Sequence, residues 1–306
     1  MKLSVVATLF KSEAYIEEFY SRISSVAQKV VGEDYEIVLI NDGCPNDSLE
    51  LALKLIDYDS HVVVIDLSRN FGHHKAIMTG LENSLGDLVF LIDSDLEEEP
   101  EWLIPFWEQL RDERSDVVFG VQNQRKGGWF ERLSGKLFYY TMRVLSGLEL
   151  PSNIVTARLM TRRYVNALLK HREREVFLAG LWHVTGFEQS QNTVVKKNLS
   201  QTTYSFRKKL SLLVTSITSF SNIPLVLVFN LGLFVLALSF AFISYLLVRR
   251  VFFSESIDGW TSVITSVWLI GGINISFIGL LGIYLSKIYS EIKQRPYTII
   301  REIYGR

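Results

Sequence analysis

Two aspartates one residue apart, Asp93 and Asp95, close the apolar run Leu88–Ile92 and lead into Leu96, Glu97, Glu98, Glu99 and Pro100. Alternate side chains of a strand point the same way, so both acids can face one site. Hard divalent cations such as Mg²⁺ are commonly held by one or two carboxylates together with phosphate oxygens. A buried strand that delivers this pair to its carboxyl end therefore reads as a metal–diphosphate site at the edge of an α/β sheet. The plainer alternative is a solvated acidic turn, and the pair alone does not choose between them.

The elements that would position the pair alternate in type. Leu3–Leu9, Glu36–Ile40, Val62–Leu67 and Leu88–Ile92 read as strands, with helices expected over Ala14–Val31, Ser48–Ile56 and Lys75–Leu85 between them. This rhythm predicts an α/β fold with a mainly parallel, Rossmann-like sheet and right-handed crossovers. Ligands of such sheets bind beyond the carboxyl ends of the strands, which is where Asp42, Asp93 and Asp95 fall. Asp116–Val121 reads as a further strand, and Trp129–Leu145, Thr161–Leu169 and Phe206–Phe220 as helices.

Composition narrows the partners. The 306 residues carry 32 Lys and Arg against 33 Asp and Glu, so there is no basic field for nucleic acid. Residues 1–205 read as a soluble catalytic domain. About 225–248 and 260–286 are two uncharged apolar runs, each long enough for a helix to cross a bilayer. Arg207, Lys208 and Lys209 precede the first run, and Lys287, Lys293, Arg295, Arg301 and Arg306 follow the second. Arg249 and Arg250 between the runs are countered by Glu255 and Asp258, so the Lys/Arg bias predicts both termini on the cytoplasmic side. Residues 206–221, basic at the start and apolar along one face, suit a helix at the membrane surface, packed core being the alternative. Residues 288–306 would then be a cytoplasmic tail. Met1–Ala7 begins a strand, so no cleavable signal is expected. The single cysteine, Cys44, excludes an internal disulfide and suits a reducing compartment.

Several segments together resemble family 2 glycosyltransferases of the GT-A fold, in the polyisoprenyl-phosphate branch of bactoprenol glucosyltransferases and dolichol-phosphate mannose synthases. Ile40–Ser48 looks like the branch's nucleotide-binding turn, and Ser68–Gly72 matches its Ser-Arg-Asn-Phe-Gly segment. Asp93–Leu96 with Pro100 and Glu101 matches its metal motif. Thr202 and Tyr204–Lys208, then Ile217–Ser221 and Lys293–Pro296, resemble the segments around its two membrane helices. The likeness runs nearly end to end, and the order of the motifs is more specific than any one of them.

The resemblance implies roles. Glu13 and Asp42 would contact the base and ribose of a nucleotide, Asp93 the ribose and diphosphate, and Asp95 an Mg²⁺ or Mn²⁺ ion. Glu97 stands where the branch often has Gln; it is a third metal ligand or a solvated acid. Arg125, Arg158 and Lys197 align with cations that meet donor or acceptor phosphates, or are plain surface charges. Asp93, Asp95 and Arg158 would be the catalytic group. Arg69 braces the 70–72 turn, and His73 and His74 fall in a variable slot and are expected to be exposed. Partners would be a nucleotide-diphosphate-sugar, a polyprenyl phosphate, the bilayer and, as in the branch, further copies of the chain. Departures are the stretch Thr8–Glu13, where Pro-x-Tyr-Asn-Glu-Glu is usual, Thr203 for Lys, and Thr156 for an Asp close before the Arg.

The chemistry can proceed without that Asp. A phosphate monoester has its second pKa near 6, so at neutral pH it is already a dianionic nucleophile and needs no base. The reaction so read is an inverting transfer of one sugar to undecaprenyl phosphate or a similar lipid phosphate. A processive polysaccharide synthase would carry Gln-x-x-Arg-Trp, which is absent, and a catalytically silent membrane scaffold is the remaining rival. Neither the Gly-x-Gly-x-x-Gly turn of dehydrogenases nor the Gly-x-x-x-x-Gly-Lys loop of NTPases occurs.

Overall fold

A computed structural model describes residues 2–122, 153–174, 176–197, 217–218, 221–253 and 259–306. The helix expected over Trp129–Leu145 lies outside them, as does all of 206–221 but 217, 218 and 221. The described residues divide into two compact units, one holding a sheet with its helices and the C-terminal residues, the other two long helices.

In the first unit β1 (Leu3–Leu9), α1 (Ile16–Val31), β2 (Tyr35–Asn41), α2 (Ser48–Ile56), β3 (Val62–Leu67), α3 (His73–Asn83) and β4 (Leu88–Leu91) follow the predicted alternation. These four strands are buried at every residue, as their Val/Ile/Leu-rich runs require when helices cover both faces. Helix α1 turns Ile16, Phe19, Ile23, Val26 and Ala27 inward at helical spacing. The chain continues through α4 (Leu103–Glu113), β5 (Val117–Gln122), β6 (Ile154–Thr161), α5 (Arg162–Leu168), α6 (Leu178–Val184) and β7 (Gln189–Val194), and closes with β8 (Ile300–Tyr304). The core joins α1 and α4 to the sheet, with Phe90 meeting Phe106 edge-on at 6.2 Å.

The strands lie in the order β7-β5-β6-β4-β1-β2-β3-β8. β6 and β8 run against their neighbours and the remaining pairings are parallel. From β1 the chain builds outward to β3, then returns to place β4 on the other side. The switch point between β1 and β4 opens a crevice at the strand ends. Gly80 sets the other wall: a Cβ there would lie 2.4 Å from Ile40 Cδ1 and 2.6 Å from Val6 Cγ1. Only glycine lets α3 lie this close to β1 and β2, with its first residue at their carboxyl ends.

One expectation changes here. Residues 300–304, read as tail, form a strand antiparallel to β3. Its short, charged sequence hides a pattern that only the neighbouring strand completes.

The second unit contains α7 (Ile223–Phe253) and α8 (Trp260–Ile292). Segments Ile223–Phe242 and Ser266–Ile292 are long and apolar enough to cross a membrane. Phe240 is 71% and Trp268 79% exposed, which is the reverse of a soluble core helix. Tyr284 donates to the Ser221 carbonyl at 2.7 Å, and Gly232 lies where a Cβ would meet Phe277 at 4.0 Å.

Candidate active site

Two turns build one side of the crevice. After β2, the buried Asp42 accepts from Phe71 N at 2.7 Å and from Gly72 N at 3.0 Å. Asn70 Nδ2 returns a bond to the Asp42 carbonyl at 3.0 Å. Gly43 has φ +58°, and a Cβ there would lie 2.3 Å from Asn70 N, so the turns touch backbone to backbone. Arg69 lies over the Phe71 ring at 4.3 Å and donates to the Asn70 carbonyl, bracing this turn. Thr8, Phe10, Asp42, Asn70, Gly72 and His73 line a cavity of about 340 Å³. Glu13 is exposed on the turn into α1 and is not among the lining residues.

The acidic turn forms the floor. Ser94 Oγ donates to the Thr8 carbonyl at 2.8 Å, pinning the turn to the end of β1. Asp95 Oδ1 accepts from Glu97 N at 3.0 Å, and the buried Leu96 between them adopts φ +59°. A non-glycine residue in this region is strained, and such strain persists only where its surroundings hold it. Here the Leu96 side chain is fixed in the core while acids project on either side. Burial and the neighbouring Asp93 push the Asp95 carboxyl above its ordinary range. Glu98 is wholly buried, accepting from Thr156 N at 2.9 Å and Asp93 N at 3.4 Å. Burial, then Asp93, raises it to about 8.

The cation that enters this cluster is Lys196, the neighbour of the Lys197 that the resemblance assigns to phosphate. Lys196 Nζ stands 3.3 Å from Glu97 Oε2, 3.6 Å from Glu98 Oε1 and 3.9 Å from Asp93 Oδ2. Lys197 Nζ instead pairs with Glu99 Oε1 at 2.8 Å. Strand alternation carries on past β7: Val194 is buried, Val195 is 77% exposed, Lys196 turns in and Lys197 out. His73, at the start of α3, joins Thr8 Oγ1 (3.0 Å) to Asp93 Oδ1 (3.4 Å) through its two ring nitrogens. His74, expected to be exposed, is half-buried and donates from Nδ1 to the Val176 carbonyl at 3.0 Å.

Arg158 faces a second cavity. It sits on β6 opposite Leu91 and is 1% exposed. Its Nε donates to the Thr156 carbonyl at 3.1 Å and an Nη to the Val155 carbonyl at 3.3 Å, and its plane lies over Trp182. Phe119, Ile154, Trp182, His183 and Gln191 line this cavity of about 390 Å³ with it. Burial lowers the Arg158 guanidinium below the usual arginine range. Asp93, Asp95 and Glu97 are thus gathered at one crevice with Asp42 near its rim, while Arg158 reaches them only by way of Glu98. Arg125 lies outside the described residues. Lys196 and Glu98 escape the sequence reading: a lysine pair and a run of glutamates look solvated until strand register and burial separate them.

Among the described residues no three His, Cys, Asp or Glu side chains form a ready metal cage. The acids present are nevertheless all hard oxygen donors, and Asp95 is a half-buried carboxylate whose pKa desolvation and the neighbouring Asp93 raise. This fits a divalent ion whose remaining positions are taken by phosphate oxygens and water.

Comparison with known proteins places these residues in company. The model of the family described as "Glycosyl transferase family 2" matches residues 4–169. A Mycobacterium tuberculosis protein named among the glycosyltransferases is 50% identical over 305 residues, covering 100% of this chain and 89% of that one. The glycosyltransferase YkcC of Bacillus subtilis is 31% identical, covering 100% and 95%. The bactoprenol glucosyl transferase of Shigella phage SfV is 31% identical over 304 residues, covering 98% of each chain.

Proposed function

The chain belongs to glycosyl transferase family 2, and from that premise we propose that it transfers a single sugar, with inversion, from a nucleotide-diphosphate-sugar to undecaprenyl phosphate or a similar polyprenyl phosphate. The observation that carries this reading is the 98% two-way coverage by a bactoprenol glucosyl transferase, which includes the two apolar helices as well as the sheet. A match of that extent favours a single-sugar transferase over a processive synthase or a silent scaffold.

In this reading the cavity beside Asp42 takes the nucleoside, with Glu13 at its approach and Asp93 toward the ribose and diphosphate. Asp95, with Glu97 beside it, would hold Mg²⁺ or Mn²⁺, which when bound stabilises a leaving diphosphate as a Lewis acid. Lys196 adds a fixed positive charge on the same side. Arg158 and Arg125 meet phosphate, and the planar guanidinium suits bidentate contact with it. The acceptor dianion attacks the anomeric carbon from the face opposite the leaving group, giving a β-linked product from an α-linked donor. No side chain needs to take a proton in that step. What the protein supplies is placement of two anions that repel each other, together with charges already in position.

A polyprenyl tail stays in the bilayer, so the site must work at the headgroup plane. The first unit holds residues both before α7 and after α8, so two crossings return the chain to the side it left. With Lys and Arg concentrated on those flanks, that side is the cytoplasmic one. The domain plan that follows is a catalytic domain over 1–205, an interfacial segment over 206–221, a membrane hairpin over 222–287 and a C-terminal segment returning to the sheet.

The test is an assay of the purified full chain with Mg²⁺ or Mn²⁺, a panel of uridine, guanosine and thymidine diphosphate sugars, and a short polyprenyl phosphate. One donor is expected to yield a lipid-linked sugar, and Asp95→Asn is expected to abolish it. Absence of product from every donor would overturn the reading.

A further inference from the structure

Behind the nucleotide-side turns lies a contact that the reaction as described does not use. Asp66, at the end of β3, is buried, its side chain 2% exposed. One of its oxygens accepts from Asn41 Nδ2 at 2.7 Å, and the other from Arg301 Nη1 at 2.9 Å. Asn41 in turn accepts from Cys44 N through its Oδ1 at 3.2 Å, closing the turn that holds Asp42 and Gly43. The second Nη of Arg301 donates to the Ser68 carbonyl at 2.9 Å, and Ser68 N donates to the Ile299 carbonyl at 2.9 Å. Arg301 therefore grips the roots of both turns that meet at Asp42: 41–44 through Asp66, and 68–72 directly.

The backbone around Arg301 is shaped for this grip. In the β3–β8 ladder Asp66 faces Glu302, but Leu67 faces Ile300, leaving Arg301 as an extra residue on β8. A bulge of this kind re-aims the side chain it frees. β8 is locked at its ends as well. Gly305 has φ +81°, and a Cβ there would lie 2.3 Å from the Val62 carbonyl oxygen. Before the strand, Thr298 Oγ1 meets Thr79 Oγ1 at 2.7 Å and Tyr297 donates to Glu82 at 2.6 Å.

We propose that Arg301 is a positioning residue for the nucleoside diphosphate: from β8, the strand formed by chain returning from α8, it braces from behind the two turns that line the nucleotide pocket and sets their spacing. This rests on the reading of the Asp42 cavity as the nucleotide site. Arg301 touches no reacting group, so its loss should weaken nucleotide capture without slowing the chemical step.

The experiment uses the full chain in detergent with Mg²⁺ and measures Kd for UDP, GDP and dTDP by calorimetry, then donor KM and kcat. For the nucleotide that the unaltered chain binds, Arg301→Ala is expected to raise Kd roughly tenfold, the size expected for losing hydrogen bonds to a buried charged partner. KM for the matching donor should rise in proportion while kcat at saturating donor stays within about twofold. Arg301→Lys keeps the charge but not the fork and should recover part of the affinity. It also carries the test alone should Arg301→Ala fail to fold. Glu302→Ala, in the same strand with its side chain paired to Tyr304, should leave Kd unchanged. Unchanged Kd in both folded Arg301 variants, or an equal rise from Glu302→Ala, would overturn the role of Arg301. Failure of the unaltered chain to bind any of the three nucleotides would overturn the nucleotide reading of the cavity itself.

Discussion

Lys196 is the sole described cation inside a nest of acids, and replacing it with methionine isolates what that cation does. Methionine keeps the length and apolar stem of the side chain and removes only the charge. At the observed 3.9 and 3.3 Å, Asp93 and Glu97 each attract the ammonium by about 4–5 kcal/mol in a medium of effective dielectric near 20, before the cost of burying it. Burial opposes the lysine's charge, yet Glu98, Asp93, Asp95 and Glu97 together hold its pKa above the ordinary value. Removing one partner from a buried ionic group typically costs about 3–5 kcal/mol. Because 20% of the Lys196 side chain stays exposed, the lower end of that range, about 3 kcal/mol, applies. For a unit of this size that is a fall in Tm of roughly 6–12 °C in chelator. The acids left behind would then welcome a divalent ion more readily than before, and an ion at 100 times its Kd returns about 2.7 kcal/mol. Thermal unfolding in EDTA and in Mg²⁺ or Mn²⁺ reads both effects: a large fall without metal, and a larger metal-induced gain in the variant than in the unaltered chain. Equal Tm values in EDTA, or equal gains on adding metal, would refute the reasoning.

Three further outcomes follow from the geometry. Thr156 is held through its backbone, N to Glu98 and carbonyl to Arg158, so Thr156→Ala should keep kcat/KM within about threefold, and a complete loss in the donor assay would contradict this. Gly43→Ala drives a Cβ into Asn70 N at a positive φ and should cost about 1–3 kcal/mol, read as a lower Tm together with weaker nucleotide binding. Burial lowers the pKa of His74, so the folded chain refuses a proton that the unfolded chain accepts; stability should fall as pH drops below about 6.5, and His74→Gln should flatten that part of a Tm-against-pH curve.

What could be read from the sequence tracks how local each signal is. Four strands buried on both faces spell themselves out as apolar runs, and α2 and β3 lie at their predicted boundaries. Asp93 and Asp95 are visible because they end such a run. β7, with the sequence Gln-Ser-Gln-Asn-Thr-Val, and β8, with Arg301 and Glu302 in five residues, carry no such pattern; their partner strands make them strands. The site residues that went unread have the same origin. Lys196 differs from Lys197 only by strand parity, and Glu98 from Glu97 and Glu99 only by complete burial. Arg158 could be picked out as a cation, but its place over Trp182 depends on α6, distant in the chain.

The sharpest measurement compares two acceptors of equal chain length, a polyprenyl phosphate and the corresponding polyprenol, given to the purified chain with its donor and divalent metal. If the lipid phosphate is its own nucleophile, sugar should appear on the phosphate and none on the alcohol, whose hydroxyl would first have to lose a proton. Glycosylated polyprenol, or a phosphate left unmodified beside an active alcohol, would contradict the mechanism at its root.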